Sequence, residues 1–417
     1  MRIFITSVGT RGDVEPFLAI GEILQRRGHQ ITYAFPQQFS QLVPKTADFF
    51  ALSPRIIELI QSKQGQIMMG KANIFKKLRA LKYLYKQGKV INNAIAKQHF
   101  EALQATQPEL IIHNPKCSYP FIWGLNKNIS TILISPVPYI IHKVDHHPHL
   151  GFQKNLGKSL NHLTYKLSNY GLVKTIYDIQ KKITDKTTLF SKKEILKELM
   201  NKKIIYSISP SLFKAPKYWP KNTKVLGYYH RDISQKWLPT DKVKLFLKTY
   251  NKPVFLSFGS MQSNQAQKTS KLLYAVFDKL KIPVIVNTAE KGLIALETYS
   301  NKNRFLFVNE IPYNWIMSKV YAVVHHGGSG TTHTGIKHAC PTLIIPHIID
   351  QYIWNNLIYE LGIGPKGNSI NRLTSNKFEK ALNDLYENKK YKTNANVLST
   401  QINKENIKEK ILNFIKA

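Results

Sequence analysis

The run His325-His326-Gly327-Gly328-Ser329-Gly330-Thr331-Thr332 combines residue types suited to holding a diphosphate. An apolar strand ends ahead of it at Val324, and a helix is expected to begin near Ser329. The unpaired N–H groups and positive dipole end of such a helix point where an anion can sit. Thr331 and Thr332 add hydroxyl donors, and His326 can bond a phosphate oxygen while stabilising charge on a leaving group. The plainer alternative is a tight strand-to-helix turn without a ligand. Glycine alone permits that turn, but it gives no use to the accompanying histidine and hydroxyls. Further on, Asp350 and Gln351 close the segment Pro346-His347-Ile348-Ile349-Asp350-Gln351 after another apolar run. A carboxylate beside an amide at a strand's C-terminal end offers acceptors and donors to sugar hydroxyls. Asp350 alone would also serve as a helix N-cap.

These residues need a frame. Ile3 to Val8 reads as a strand, Gly9 to Asp13 as a turn, and Pro16 to Arg27 as a helix with Phe17, Leu18, Ile20, Ile23 and Leu24 on one face. A second strand follows at Gln30 to Phe35, completing a βαβ unit and predicting a parallel, helix-covered sheet. Further strands are expected at 110–112, 130–134 and 204–208, with lysine-studded helical segments over roughly 54–105 and 155–203. The pattern restarts at Pro253 to Phe258 and continues through 283–287, 305–308, 320–324 and 342–345. The expected fold class is therefore α/β, with two doubly wound, Rossmann-like domains facing across a cleft. The expected divisions are an N-terminal domain over 1–235, a linker over 236–250, and a nucleotide-binding domain over 251–394. A C-terminal helix over 395–417 is expected to pack back on the first domain.

Bulk composition narrows the class. A chain of 417 residues suffices for two domains with their own cores. The apolar stretch from Thr131 to Ile141 is broken by Pro136 and Pro138 and falls short of the ~20 residues of a spanning helix. Met1-Arg2 runs straight into a strand, which leaves no room for a signal peptide in this reading. Cys117 and Cys340 form neither a disulfide framework nor a metal spacing, so a cytoplasmic setting is expected. Sixty Lys and Arg against 25 Asp and Glu give a net charge of +35. Solvated lysines account for that charge, and so does attraction to an anionic membrane surface. Nucleic acid is not an expected partner, because no nucleic-acid-binding module accompanies the charge.

The stretch from Val320 to Pro365 resembles the donor-binding signature of family 1 glycosyltransferases with the GT-B fold, the bacterial and sterol-glucosylating branches most closely. Ser7-Val8-Gly9-Thr10-Arg11-Gly12-Asp13-Val14-Glu15-Pro16 and Ser257-Phe258-Gly259-Ser260-Met261 resemble two further turns of that family. The resemblance implies an inverting transfer, independent of metal and cofactor, from a nucleotide-sugar donor, UDP-sugar foremost. The diphosphate would be held by His326, Gly328, Ser329, Gly330 and Thr331, with Ser260, Thr10 and Gly12 on the other turns. Asp350 and Gln351 would hold the sugar, and main-chain groups around Ile311 the base. Asp13 matches the position of the catalytic base, and a hydroxyl nucleophile does need to lose a proton as it attacks. Burial or a nearby carboxylate is expected to raise the basicity of Asp13. A helix N-cap is its structural alternative, with Arg11 as a partner for it or for Glu15.

Three positions depart from the family pattern. Val308 stands near the place of a base-stacking Trp in plant members, Thr334 at a ribose-binding Glu, and Ile349 at a Gly. Uridine and thymidine donors both stay open. The acceptor implied is a small apolar or lipid-like hydroxyl compound of sterol, carotenoid, polyketide or flavonoid type. His142, Asp145, His146, His147 and His149 crowd one loop, read as solvated or acceptor-lining rather than metal-binding, and one histidine could assist Asp13. Lys71 to Lys89 forms a basic amphipathic helix. It either touches an anionic membrane or, as preferred, packs on the sheet with its lysines in water. Competing functions are a sugar-nucleotide epimerase or hydrolase of the same fold, and a basic peripheral membrane binder with a degenerate site.

Overall fold

The computed structural model describes residues 1–69, 73–150, 155–183, 189–231, 237–259, 261, 265–289 and 292–416. Two compact units divide the chain, one of residues 1–229 with 406–417 and the other of residues 230–405. The first unit runs β1 (Arg2–Thr6), α1 (Arg11–Gln25), β2 (Gln30–Pro36), β3 (Asp48–Leu52), α2 (Arg55–Gln61), α3 (Lys63–Met69) and α4 (Ile74–Thr106). It continues through β4 (Leu110–His113), α5 (Ser118–Lys127), β5 (Ser130–Ser135), α6 (Lys158–Ile183), α7 (Lys192–Asn201), β6 (Lys203–Tyr206) and β7 (Thr223–Val225). Its seven strands lie in the order β3-β2-β1-β4-β5-β6-β7, every pairing parallel. Ile3, Phe4 and Ile5 are all buried, because helices cover both faces of a parallel sheet and leave no polar side.

The second unit runs α8 (Asp241–Thr249), β8 (Val254–Ser257), α9 (Ala266–Lys279), β9 (Val284–Asn287), α10 (Glu297–Ser300), β10 (Phe305–Val308) and α11 (Tyr313–Ile316). It continues through β11 (Ala322–His325), α12 (Ser329–Lys337), β12 (Thr342–Ile344), α13 (Gln351–Glu360), α14 (Ser375–Glu387) and α15 (Lys389–Asn403). Its parallel sheet has the order β10-β9-β8-β11-β12. Alternation along the strands divides the core between two faces. Val254, Leu256, Val284, Val286 and Val324 pack with Leu273, Phe277 and Leu382 on one side. Phe255, Ile285 and Val323 pack with Ile316 and Met317 on the other.

Two boundaries differ from the sequence expectation. Residues 236–250 were expected to link the domains, yet 241–249 form α8, and its Val243 and Phe246 enter the second unit's core. Thr240 caps it, accepting from the Val243 N–H at 3.4 Å. The proline and aromatic punctuation hid a short amphipathic helix. Residues 395–417 were expected to form one helix and form parts of two. Ala395, Leu398 and Ile402 of α15 are buried within the second unit, while α16 (Ile407–Lys416) returns to the first. There Ile411, Leu412 and Ile415 join the core of Phe17, Ile20 and Leu24, and Lys203 Nζ donates to the Phe414 carbonyl at 3.3 Å. Among the described residues no helix is long and apolar enough to cross a membrane.

Candidate functional site

In each sheet the strand order reverses at one place, between β1 and β4 in the first unit and between β8 and β11 in the second. Turns leaving the C-terminal ends of two such strands run apart, and ligands of open α/β sheets bind in the crevice they leave. In the second unit, the turn after β8 and the turn after β11 meet around the His326 ring. A Cβ on Gly259, whose φ is +54°, would lie 2.9 Å from His326 Cε1. A Cβ on Gly328 would lie 2.7 Å from Nε2. Only glycine lets both backbones hold the imidazole between them. The ring is buried, and its Nδ1 has no hydrogen-bond partner among the described residues. Burial, reinforced by the neighbouring His325 and His347, pushes its pKa well below the usual imidazole range. His325 and His347 are pushed down to about 3 and about 4, chiefly by burial. The imidazoles here are therefore neutral. Favourable potential for an anion must come from the backbone.

The backbone supplies it at α12. Gly328 is the N-cap, extended at φ −67° and ψ 141°, and the helix begins at Ser329. The Thr332 N–H already bonds the Gly328 carbonyl at 2.9 Å, so the amides of Ser329, Gly330 and Thr331 form the open first turn. Sequence reasoning offered Thr332 as a hydroxyl donor to the ligand, and the structure corrects this. Its Oγ1 donates back to the Gly328 carbonyl at 2.9 Å, as Thr334 Oγ1 does to Gly330 at 2.7 Å. A threonine one turn into a helix satisfies the preceding carbonyl in preference to an outside partner. Thr331 keeps a half-exposed side chain on that first turn. His333 Nδ1 bonds the Ser329 carbonyl at 2.7 Å and anchors the turn from beneath.

Asp350 precedes α13 at the N-cap position, but its side chain makes no capping bond. Gln351 is buried, with Oε1 accepting from the N–H groups of His347 at 2.7 Å and Ile348 at 3.1 Å. The oxygen of that amide thus holds the loop that precedes α13. Ile349 has φ +32°, a left-handed conformation that a β-branched side chain adopts only under strain, and it is 56 % exposed. The side chain of Ile311 is in the core, and the residue lies between β10 and α11. Ser260 lies outside the described residues.

The reversal in the first unit brings Asp13 to Lys116, a residue the sequence reading missed. Lys116 Nζ is 2.7 Å from Asp13 Oδ1. Asp13 Oδ2 accepts from the Thr10 N–H at 2.8 Å and from its hydroxyl at 3.2 Å. Asp13 is therefore the third residue of α1, reaching back to the cap, and the N-cap is Thr10. A lysine, rather than Arg11 or a carboxylate, is its charged neighbour. Gly12 sits in the exposed first turn of the same helix. The turn after β4 was legible as a strand end, but only the sheet order places it beside β1.

The histidine-rich loop does not converge on a point. His146 Nε2 meets the Tyr139 hydroxyl at 3.1 Å, His149 Nε2 the Ile140 carbonyl at 3.2 Å, and Asp145 pairs with Lys158 and His162. His142 packs 5.5 Å from the Trp219 ring, and burial pushes it down to about 4. Among the described residues no three His, Cys, Asp or Glu side chains are grouped to hold a metal ion.

Comparison with known proteins agrees with this architecture. Residues 3–122 match the glycosyltransferase family 28 N-terminal domain, and residues 279–412 match the C-terminal domain of erythromycin biosynthesis protein CIII-like proteins. A sterol 3-beta-glucosyltransferase of Arabidopsis thaliana is 28% identical over 370 residues, covering 88% of this chain and 60% of the plant protein. The chain thus spans less than two thirds of that relative's length. The glycotransferase of kitacinnamycin superposes with a TM-score of 0.72 at 15% identity, covering 100% of this chain and 98% of its own. The Streptomyces sp. SF2575 glycosyltransferase, solved with thymidine diphosphate, gives 0.63 at 15%, covering 100% and 99%. The two parallel α/β units and the full-length structural neighbours give the chain the GT-B fold, and the two domain matches make each half similar to a glycosyltransferase domain.

Proposed function

We propose that the chain is an inverting hexosyltransferase, moving a sugar from a nucleoside diphosphate, UDP foremost, to a hydroxyl of a sterol-like or other lipid-like acceptor. One observation carries the reading: the buried His326 ring, whose Nδ1 has no hydrogen-bond partner among the described residues, lies against Gly328, the N-cap of the open first turn of α12. A diphosphate would satisfy both. As the acceptor oxygen bonds to the anomeric carbon, the bond from that carbon to the phosphate oxygen breaks on the opposite face. The acceptor proton passes to Asp13, and the released charge rests on the amides of Ser329, Gly330 and Thr331. His326 contributes as a neutral donor. Lys116, half exposed, pairs with Asp13 Oδ1 at 2.7 Å, so the acceptor hydroxyl would take its place or share that oxygen. Names of the relatives support a sterol class of acceptor, and a thymidine diphosphate complex among the structural neighbours keeps TDP-sugars in play. A reducing, cytoplasmic compartment suits Cys117 and Cys340, both buried free thiols.

Incubation with UDP-glucose or TDP-glucose and a sterol, read by mass spectrometry, tests this reading. The expected product is the glycosylated acceptor. An altered or hydrolysed sugar nucleotide formed equally without acceptor would instead assign an epimerase or hydrolase.

A further inference from the structure

The first unit exposes two apolar stripes that its core does not use. On α4, Phe75, Leu78, Leu81 and Tyr85 recur at three- and four-residue intervals and face solvent, Phe75 at 74% and Tyr85 at 67%. On α6, Leu160, Leu163, Leu167 and Tyr170 repeat the same spacing, each exposed. The inward faces of these helices are other residues: Ala80, Ile91 and Ile95 on α4, and Val173, Ile176 and Ile179 on α6. The sequence preference for α4, apolar side against the sheet and lysines in water, is therefore corrected: the helix has two apolar sides. Tyr85 and Tyr170 both lie near the Lys174 ammonium, and Lys89 reaches Asp178 at 3.9 Å, so the stripes run side by side.

Charge frames both stripes. Lys76, Arg79, Lys82, Lys86 and Lys89 flank the first, and Lys158, Lys166 and Lys174 the second. No carboxylate occurs on α4 before Glu101. Asp178 is the sole carboxylate of α6, and Lys174 already pairs with it at 2.8 Å. A contiguous exposed apolar surface marks an interaction site, and the charge around this one selects the partner. A second copy, with its own net +35, would be repelled. We propose that the paired outer faces of α4 and α6 dock on an anionic lipid bilayer. The leucines, Phe75 and the two tyrosines enter the headgroup boundary while the lysines meet lipid phosphates.

The test is sedimentation of the full chain with vesicles of phosphatidylcholine alone or mixed with phosphatidylglycerol, without donor or acceptor, so that the result does not depend on sugar transfer. Binding to the anionic vesicles alone is expected, weakening as salt rises. The combined variant Phe75→Ser, Leu78→Ser, Leu163→Ser, Leu167→Ser should lose at least about tenfold in vesicle binding. Its melting temperature should hold, since all four side chains are exposed. A second variant, Lys76→Gln with Lys82→Gln and Lys86→Gln, leaves the apolar stripes untouched and should lose about fivefold per charge. The proposal is overturned by wild-type protein that ignores anionic vesicles, by variants that bind as tightly as wild type, or by a lipid-free dimer that the serine variant dissociates.

Discussion

Gly328→Ala tests whether the imidazole of His326 is held by the two turns. The backbone at Gly328 is ordinary extended chain, so alanine meets no torsional objection there. What it meets is the ring: the new Cβ would lie 2.7 Å from Nε2 and 3.1 Å from Cε1. Retreat is blocked by Gly259, where a Cβ would come within 2.9 Å of the same Cε1. Overpacking of this kind costs about 1–3 kcal/mol. Replacing glycine by alanine at an N-cap adds about 1 kcal/mol or less. In a His326→Ala background the clash disappears and only the cap contribution remains. Denaturant unfolding of wild type, both single variants and the double variant should therefore give a coupling of about 1 kcal/mol or more. Titration calorimetry with UDP and TDP should show at least about a tenfold loss for Gly328→Ala, worth about 1.4 kcal/mol, because the Nδ1 donor is turned away. Equal cost of Gly328→Ala in both backgrounds would refute the sandwich.

Asp13→Asn should abolish sugar transfer while leaving UDP affinity within about twofold, since the amide keeps the Thr10 contacts and loses the base; full transfer would remove Asp13 from the mechanism. Ile349→Gly should raise the melting temperature, relief of left-handed strain exceeding the chain entropy glycine adds by about 1 kcal/mol, and a lower melting point would show that the loop prefers isoleucine. Stability should fall steeply below pH 6.5. His99 and His325 are pushed down to about 3, and His113, His333 and His347 to about 4, from 6.5. The unfolded chain binds protons there that the native chain refuses, so each ring removes about 1.4 kcal/mol per pH unit between 6.5 and its folded value. Denaturation midpoints independent of pH from 7 to 5 would contradict the burial of these rings.

The strands were readable because both faces of a parallel sheet are covered, which turns Ile3-Phe4-Ile5 and Val254-Phe255-Leu256 into continuous apolar runs. The start of α12 was readable because Gly327-Gly328-Ser329 comes one residue after a strand. Lys116 was not, because its pairing with Asp13 spans 103 positions and exists only once β4 lies beside β1. The commitment of Thr332 to its own helix depends on a rotamer, which the residue type leaves open. The outer stripe of α4 was visible but preferred as a core-facing side, and that of α6 was not singled out, for a different reason. Periodicity reports how often apolar residues recur on a helix, and a helix with two apolar sides reads as one broad core face.

The return of α16 has a consequence for how the protein comes into being. Ile411, Leu412 and Ile415 close the core formed by Phe17, Ile20 and Leu24, yet residues 230–405 are synthesised between them. Vectorial synthesis therefore delivers the first sheet long before its last covering helix, and the second unit matures while the first still shows water an apolar gap. Each of the three side chains is worth roughly 1.5–3 kcal/mol when buried. A nascent chain stopped before Asn406 would carry a nearly finished first unit that is sticky for want of one short helix.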